Sequence, residues 1–296
     1  MTQTAEAQLD QPLLDLEGID LSGATRLTYV LRQQFRYDYE GRAYALHHRL
    51  VVVPGPRRGS LRLRVQQVEV SAADAQVATR RDSHANLVTT VHLEVVPQTV
   101  EFRVAAVVER TMSETGPLLP AEALEDRRML CTTALTTADE ALRELAVELR
   151  VAASGDLDFA QLCCETVNAA IAYEFGVTST STTAAQAYAG GRGVCQDHAH
   201  VMLALCRFVG VPARYVSGHL LGDGGTHAWV EVVVPEGRLA RAVAFDPCNG
   251  VRAGARHLTI ATGRDYRDVA PTSGSYSGDA RGRLTTTKYV GITSAA

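Results

Sequence analysis

The chain has 296 residues, of which 46% are hydrophobic and 21% charged, and its formal net charge is −4 at pH 7. This composition is typical of a folded globular protein, and the length fits one large domain or two moderate ones. The sequence pI of about 6.1 gives no basic footprint for nucleic acid and no polybasic segment for a membrane surface. We therefore expect neither nucleic acid nor a membrane among its partners.

The distribution of hydrophobic residues and cysteines predicts the location of the protein and the state of its thiols. No run reaches the ~18 apolar residues of a transmembrane helix. Residues 1–10 lack the basic start and apolar stretch of a signal peptide, so a cytoplasmic location is expected. The cysteines are scattered rather than arranged as a small-domain disulfide framework, and most should be free thiols. They are Cys131, Cys163, Cys164, Cys195, Cys206 and Cys248.

The first third of the chain has the pattern of a β domain. Residues 1–24 mix polar and apolar side chains, with Gly18 and Gly23 as breakers, and are interpreted as a leader. Alternating or β-rich runs then follow at 29–31, 35–37, 50–53, 61–70, 88–96 and 100–108. The alternation slips at Gln66 and Gln67, where a bulge is expected. Short strands divided by Gly and Pro turns predict a β-sandwich-like domain over residues 25–112.

Helical periodicity takes over near Gly116 and Pro117. Apolar stripes predict helices over 121–130, 138–151 and 159–171, and a short one ends at Ala189 after a Thr182 or Thr183 cap. A stronger helix is predicted from Cys195 to Val209, where a glycine and a proline follow.

Strand patterns return at 213–220, 227–234 and 242–245, and again in the tail at 284–292. The fold class is therefore α+β. We expect an N-terminal β-sandwich-like domain, a second domain of helices and strands over residues 113–275, and a C-terminal strand within 276–296 that returns to either unit.

One cysteine occupies a position suited to a nucleophile. Gly190, Gly191 and Gly193 bring the chain sharply to the predicted helix start at Cys195. A helix N-terminus carries partial positive charge and free N–H groups, which favour thiolate over thiol. The same N–H groups can hold an oxyanion. Cys195 is thus a candidate catalytic nucleophile.

A thiolate needs a base, and a histidine base needs an orienting group. His227 opens one predicted strand and Asp246 ends the next. If these strands are antiparallel neighbours, both side chains lie at the same edge of the sheet. The sequence therefore predicts a catalytic Cys195–His227–Asp246 triad that faces the helix start.

These motifs resemble the transglutaminase-like superfamily, in particular its bacterial branch with an N-terminal β domain and cysteine-protease-type members. The resemblance is carried by residues 191–197, 212–218, 226–231 and 263–271, and by Phe245-Asp246-Pro247. It implies a papain-like, transglutaminase-like catalytic core in which Cys195, His227 and Asp246 form the triad. One departure is His198, where the branch usually has an aromatic residue.

Other roles also fit the residues near the predicted site. A metal centre could use Cys195, His198, His200, His219 and His227, but no CxxC pair or HExxH helix is present, so no metal is predicted. No organic cofactor is implied, and no acidic loop of EF-hand type indicates calcium. Asp197 and His200 could each support the site from behind, but Asp197 is interpreted as a helix-capping acid and His200 as a buried, satisfied histidine. Arg264, Asp265 and Tyr266 are expected to order a loop around the cleft.

The sequence thus predicts a thiol-dependent acyl-transfer enzyme that acts on peptide or glutamine-type amides. Hydrolysis by a cysteine peptidase or amidase is favoured, because water needs no second binding site. The alternatives are amine transfer to protein glutamine, as in cross-linking, and a non-catalytic binding or scaffold protein on the same fold. A peptide or protein substrate is the expected partner.

Overall fold

The computed structural model of the chain describes residues 8–9, 11–14, 21, 23–112, 116–222 and 225–296. Most of the predicted leader over residues 1–24 lies outside these ranges, as do Asp223 and Gly224 ahead of His227. No helix within the described ranges is long and apolar enough to cross a membrane.

Seventeen strands are found in the described residues. The first seven are β1 (Arg26–Glu40), β2 (Ala43–Leu50), β3 (Arg57–Arg58), β4 (Leu61–Val70), β5 (Gln76–Arg81), β6 (Leu87–Val96) and β7 (Thr99–Thr111). The next five are β8 (Leu118–Leu119), β9 (Ala172–Tyr173), β10 (Arg192–Gly193), β11 (Ala213–Leu220) and β12 (Thr226–Glu236). The last five are β13 (Leu239–Asp246), β14 (Val251–Arg252), β15 (His257–Gly263), β16 (Thr272–Gly278) and β17 (Arg281–Ala295).

Six helices of the described residues lie between the β7 and β16 strands. A 3₁₀ turn (Ala121–Glu125) precedes α1 (Arg127–Leu130), α2 (Glu140–Ala152), α3 (Asp156–Ala170), α4 (Ala184–Gly190), α5 (Cys195–Phe208) and α6 (Tyr266–Val269). Thr183 caps α4 through a capping box with Gln186, as one of the two predicted caps.

The N-terminal unit is a β-sandwich. One sheet has the strand order β17-β1-β7-β4-β3 and the other has the order β16-β2-β6-β5. Inward-facing residues alternate with outward-facing ones along much of β1, β2, β6 and β7, and the two sheets meet where the Phe102 ring of β7 stacks on His48 of β2 at 4.5 Å between centroids. Burial lowers the pKa of His48 to about 4, so the ring is neutral, and its Nε2 pairs with Thr272 Oγ1 at 2.6 Å. His48 is therefore a satisfied core residue.

The C-terminal strands complete this sandwich. β17 pairs with β1 along nearly its whole length, from Leu27 opposite Ala295 to Glu40 opposite Arg281. β16 pairs with β2 in the other sheet, and the expected boundary between residues 275 and 276 falls inside β16. The last predicted strand thus returns to the N-terminal unit, and the helical region is inserted between strands of the sandwich.

In the inserted region, helices pack on a separate sheet with the order β14-β13-β12-β11-β15, and β8 pairs with β13. We call this sheet the core sheet. Helix α5 is buried along almost its full length and packs on β11 and β12. Trp229 of β12 is buried, and Gly218 of β11 makes room for it: a Cβ there would collide with the Trp229 ring and the Leu258 carbonyl oxygen. The α+β class is therefore confirmed.

Side chains of the sandwich bind the backbone of β15 and of the turn before it. The Asn86 amide accepts from Thr262 N–H over 2.9 Å and donates to the Thr262 carbonyl over 2.8 Å, as a paired strand residue would. Arg110 of β7 donates to the carbonyls of Gly254 and His257, each over 2.9 Å. The Tyr29 hydroxyl of β1 donates to the Ala255 carbonyl over 2.7 Å. These bonds attach β15, the edge strand of the core sheet, to the sandwich.

Three local expectations differ from the structure. The irregularity in β4 lies between Leu63 and Val65, ahead of the expected slip at Gln66 and Gln67. Residues 51–53 follow β2 as buried irregular backbone rather than as a strand. Strands β5 and β15 carry no strong period-two signal and were not expected. β5 is exposed throughout and β15 is buried throughout, so neither shows the alternation that marks a half-buried strand.

Candidate active site

Cys195 opens helix α5, as the glycine-rich approach predicts. Asp197 holds the helix start, because its Oδ2 accepts from Val194 N–H over 2.8 Å and from Thr178 Oγ1 over 2.7 Å. Gly193 is needed beside this carboxylate, since a Cβ there would lie 2.7 Å from Asp197 Oδ2. Asp197 is therefore the helix-capping acid that the sequence indicated. The Cys195 side chain is half-buried at a surface where the first helical N–H groups have no acceptor within the helix.

The two predicted partners lie where antiparallel pairing places them. β12 and β13 are antiparallel neighbours with Val230 opposite Phe245, so the start of one strand lies beside the end of the other. His227 Nε2 is 2.8 Å from Asp246 Oδ2. Cys195 as well as Asp246 raises the pKa of His227, so the sulfur lies close to the imidazole. Since Nε2 faces the carboxylate, Nδ1 is the ring nitrogen that remains for the thiol. The structure thus brings all three residues together.

The Asp246 carboxylate is fully buried and accepts five hydrogen bonds. Its Oδ1 accepts from the backbone N–H groups of Cys248 and Asn249, at 3.1 and 3.2 Å. Its Oδ2 faces His227 Nε2, His257 Nε2 at 3.0 Å and Asn249 Nδ2 at 2.7 Å. Burial raises the pKa of Asp246, but the bonds from the two histidines outweigh it and hold the pKa well below its ordinary value. Asp246 is therefore an ionised partner for His227.

His227 is held in the protonated form by its two partners. Burial lowers the pKa of His227, whereas the hydrogen bonds and charges of Asp246 and Cys195 raise it, with a net result of about 9. At neutral pH the ring is then an imidazolium between a carboxylate and a sulfur atom. An imidazolium beside a sulfur nucleophile can protonate the leaving group of an acyl-transfer reaction.

Sequence reasoning missed two residues of this cluster, His257 and Asn249. Asn249 lies in the turn after Asp246, where an Asp-Pro-x-Asn pattern is a turn signal that could have placed its amide near the carboxylate. His257 opens β15, which pairs with β11 next to β12. The signal available for it was a polar residue at the start of an apolar run, at the same edge of the sheet as His227.

His198 and His200, which also lie near the nucleophile in sequence, have structural roles. Both ring nitrogens of His198 face backbone carbonyls, those of Val194 and Ile171, each at 2.9 Å. Its departure from the family pattern thus ties the helix start to the end of α3. Burial lowers the pKa of His200 to about 4, and its Nε2 accepts from Tyr266 N–H over 3.2 Å. His200 Nδ1 is buried with no partner among the described residues, so this histidine is only half satisfied.

The Arg264–Asp265–Tyr266 motif orders the segment around α6. Asp265 caps α6 by accepting from Arg267 N–H over 2.8 Å, and Arg264 pairs with Asp268 over 2.8 Å. Burial raises the pKa of Tyr266, and the charge of Cys195 raises it further, so the phenol lies near the thiol. This arrangement agrees with the expected loop beside the cleft.

A metal could use a different set of residues from those considered in the sequence. In the described parts of the chain, one group of three ligand atoms lies within 4.8 Å of one another, from His227, Asp246 and His257. The Gly254 N–H donates to His257 Nδ1 over 3.1 Å, so the ring proton is on Nε2 and points at the carboxylate. A metal ligand would present a lone pair there instead. The donor directions fit a hydrogen-bonded triad better than a metal centre.

Comparison with known families agrees with this geometry. A family profile described as the transglutaminase-like superfamily matches residues 143–247, and one described as the bacterial transglutaminase-like N-terminal region matches residues 29–109. The chain has a transglutaminase-like core with the N-terminal region of its bacterial branch. The resemblance drawn from the motifs is therefore confirmed, and the first match contains Cys195, His227 and Asp246.

Individual relatives extend the likeness without assigning an activity. An uncharacterized protein of Mycobacterium leprae is 37% identical over 113 residues, which span 35% of this chain and only 39% of that protein. An uncharacterized protein of Mycobacterium tuberculosis is 28% identical over 286 residues, covering 86% of this chain and 89% of the other. A solved "putative cysteine protease" from Cytophaga hutchinsonii has a TM-score of 0.65 at 19% identity, and covers 90% of this chain and 98% of that one. This last likeness confirms the transglutaminase-like fold alone.

Proposed function

We propose that the protein is a thiol-dependent acyl-transfer enzyme that hydrolyses peptide or glutamine-type amides. The observation that carries this proposal is the 2.8 Å contact of His227 with the buried Asp246 carboxylate, beside the half-buried Cys195 at the start of α5. Idle relatives of catalytic folds would be expected to lose one of the three groups. A cytoplasmic location and a polypeptide substrate remain part of the proposal.

The reaction follows from the positions of the groups. The Cys195 thiolate attacks the amide carbonyl, and a C–S bond forms while N–H groups at the start of α5 stabilise the oxyanion. His227 donates its Nδ1 proton to the leaving amine as the C–N bond breaks, which leaves a thioester. Water then attacks the thioester, gives a proton to His227, and the C–S bond breaks to restore the thiolate. Asp246 keeps Nε2 of His227 as the donor throughout.

Hydrolysis of a fluorogenic peptide library at varied pH tests the proposal. We expect turnover that Cys195→Ala abolishes and that falls as the pH rises through about 9, because His227 then loses the proton that the leaving amine needs. The control is Cys131→Ala, which removes an exposed thiol at the end of α1. Turnover that survives Cys195→Ala would contradict the proposal.

Amine transfer is the second outcome that the same site supports, since an amine can replace water at the thioester. Including a dansylated primary amine in the assay with a glutamine-containing protein distinguishes the two. Label that enters the protein and depends on Cys195 would show cross-linking-type chemistry, whereas peptide cleavage without label would show hydrolysis. If neither product forms and Cys195 is unreactive, a scaffold role takes their place.

An exposed apolar strip beside Cys195 supports a polypeptide substrate over a small amide. Residues 172–177 are all exposed, and they include Tyr173, Phe175 at 87% exposure and Val177. The strip is attached on both sides of the nucleophile: Glu174 N–H donates to the Gly193 carbonyl over 2.8 Å, and Thr178 bonds to Asp197. Large exposed aromatics beside a reactive group are typical of surfaces that bind apolar side chains of a partner.

Replacing Phe175 by serine should raise KM for peptide substrates about threefold to tenfold with little change in kcat. The reason is that the ring contributes binding energy equally to the ground and transition states. Steady-state kinetics on the best library peptide measures this. Val151→Ser, which removes another highly exposed apolar side chain on α2, is the control and should leave KM unchanged. An equal KM for both variants would show that the strip does not contact substrate.

A further inference from the structure

His257 connects the candidate triad to the β-sandwich. Its Nε2 lies 3.0 Å from Asp246 Oδ2, and its Nδ1 accepts from Gly254 N–H over 3.1 Å. Because Nδ1 is the acceptor, the ring presents its Nε2 proton to the carboxylate. The ring also packs edge-to-face on the buried Trp229, with 5.2 Å between centroids. Orientation and tautomer of His257 are therefore both fixed by its neighbours.

The turn that carries His257 is held from outside the catalytic core. Arg110 donates to the carbonyls of Gly254 and His257, and the Tyr29 hydroxyl donates to that of Ala255. Three of the four carbonyls from residue 254 to residue 257 thus accept bonds from the sandwich strands β1 and β7. A guanidinium bound to two carbonyls gives charge-assisted bonds of defined direction.

We propose that His257 is a positioning residue for Asp246, and that Arg110 and Tyr29 of the β-sandwich hold His257 in place. The inference rests on the proposed function and gives the N-terminal unit a part in it. A fully buried carboxylate stays ionised only where donors offset its loss of solvation. His257 supplies one such donor that takes no part in proton transfer, whereas the other imidazole exchanges a proton with the substrate in each turnover.

The groups around Asp246 allow the effect of His257 to be isolated. His227 reaches the carboxylate from β12, and His257 reaches it from the start of β15. Asn249 reaches it from the turn after β13. From α3, Cys164 lies close enough for the charge of Asp246 to add to burial in raising the pKa of that thiol, to about 12. Cys164 is therefore neutral throughout the range tested. The two histidines are the titratable donors to this carboxylate.

The test is the pH dependence of Cys195 alkylation by iodoacetamide, measured by mass spectrometry on the full chain. Without the His257 donor, Asp246 takes up a proton at higher pH and the imidazolium loses its counterion. We expect His257→Leu to move the acid limb of the profile up by about one pH unit, the value of one hydrogen bond to a charged group. His257→Gln places an amide N–H near the same oxygen, so its acid limb should lie close to that of the unaltered protein.

Arg110 provides a second pair of variants that leaves the core intact. Arg110→Met should move the acid limb in the same direction as His257→Leu but by a smaller amount. Arg110→Lys, which keeps a donor, should move it less than Arg110→Met does. Arg103→Met, on the same strand and paired with Glu101, is the control and should not move it. A purely structural role for His257 would lower the melting temperature without shifting the acid limb.

Two results would overturn the inference, and they differ from each other. If Cys195 of the unaltered protein reacts no faster than the exposed Cys131, the proposed function fails and the role of His257 fails with it. If Cys195 is fast but the acid limb stays unmoved in a folded His257→Leu protein, the triad stands and the role of His257 alone is wrong. Should His257→Leu fail to fold, an unmoved acid limb in Arg110→Met likewise overturns the role of His257.

Discussion

His227→Ala will slow alkylation of Cys195 by about 100-fold at about pH 6, where an ordinary thiol is almost entirely protonated. The physical reason is the positive charge of His227, whose pKa Asp246 and Cys195 raise to about 9 against the effect of burial; that charge favours thiolate in the proposed pair. In the variant, Cys195 should react appreciably only as the pH approaches about 8.5, where ordinary thiols ionise. Iodoacetamide rates across the pH range, with the modified cysteine mapped by mass spectrometry, measure the change.

His47→Ala is the matched control for this variant, since His47 is an exposed histidine on the sandwich. It should leave the profile unchanged. Identical profiles for His227→Ala and the unaltered protein would show that no thiolate–imidazolium pair exists, and the scaffold interpretation would then be preferred. The same histidine also links stability to pH. Its folded pKa lies above the ordinary value of about 6.5, so it stabilises the fold below that pH and loses this contribution as the pH rises through about 9.

Asp246→Asn should reduce amide hydrolysis by about 10³-fold while preserving the shape of the side chain. An amide has one oxygen and one NH₂ group, whereas both carboxylate oxygens of Asp246 accept bonds. In either orientation the NH₂ group faces donors, either the backbone N–H groups of Cys248 and Asn249 or the side chains around Oδ2. An NH₂ group next to His227 Nε2 also favours the tautomer with the proton on Nδ1. In that tautomer Nδ1 cannot accept the proton of the Cys195 thiol.

A lower melting temperature should accompany the loss of activity, because an unsatisfied buried polar group costs about 1–3 kcal/mol. Asp139→Asn is the control: Asp139 caps α2, and asparagine caps helices equally well. Activity in Asp246→Asn within about threefold of the unaltered protein would mean that the carboxylate does not orient His227. The pKa of Asp246 lies below that of a free carboxyl. Its ionised form therefore contributes stability above about pH 3.9 that is lost as the pH falls.

The proximity of the candidate site residues could be predicted from the sequence, because each group is marked by a local signal. Cys195 follows glycines at a helix start, and His227 and Asp246 occupy the start and end of consecutive strands. Antiparallel pairing of adjacent strands then fixes their relation. His257 could not be placed in this way, because β15 pairs with β11 rather than with its neighbour in sequence. Its approach to Asp246 is a property of sheet order, which local patterns do not encode.

The fold shows the same division between local and long-range information. The half-buried strands β6 and β7 and the helices α2, α3 and α5 show clear periodicity, which predicts them within a few residues. The two runs expected at 29–31 and 35–37 prove to be parts of one long strand, β1. The pairing of β17 with β1 and of β16 with β2 joins segments at opposite ends of the chain. Period-two patterns identify such segments as strands but not their partners, so the sequence does not determine which unit the tail joins.

The pairing of β1 with β17 also determines the order in which the protein can be completed during synthesis. β1 leaves the ribosome early, yet the strand that covers its edge begins only at Arg281. The nascent chain must therefore carry an unpaired β1 edge while the helices and the thiol-bearing core emerge, and exposed edges of this kind attract other strands. Because the last pairing spans most of the chain, closing the sandwich is expected to be the slow step of folding. A ribosome that stalls before residue 281 would release a chain that already contains Cys195, His227 and Asp246 but whose sandwich is still open.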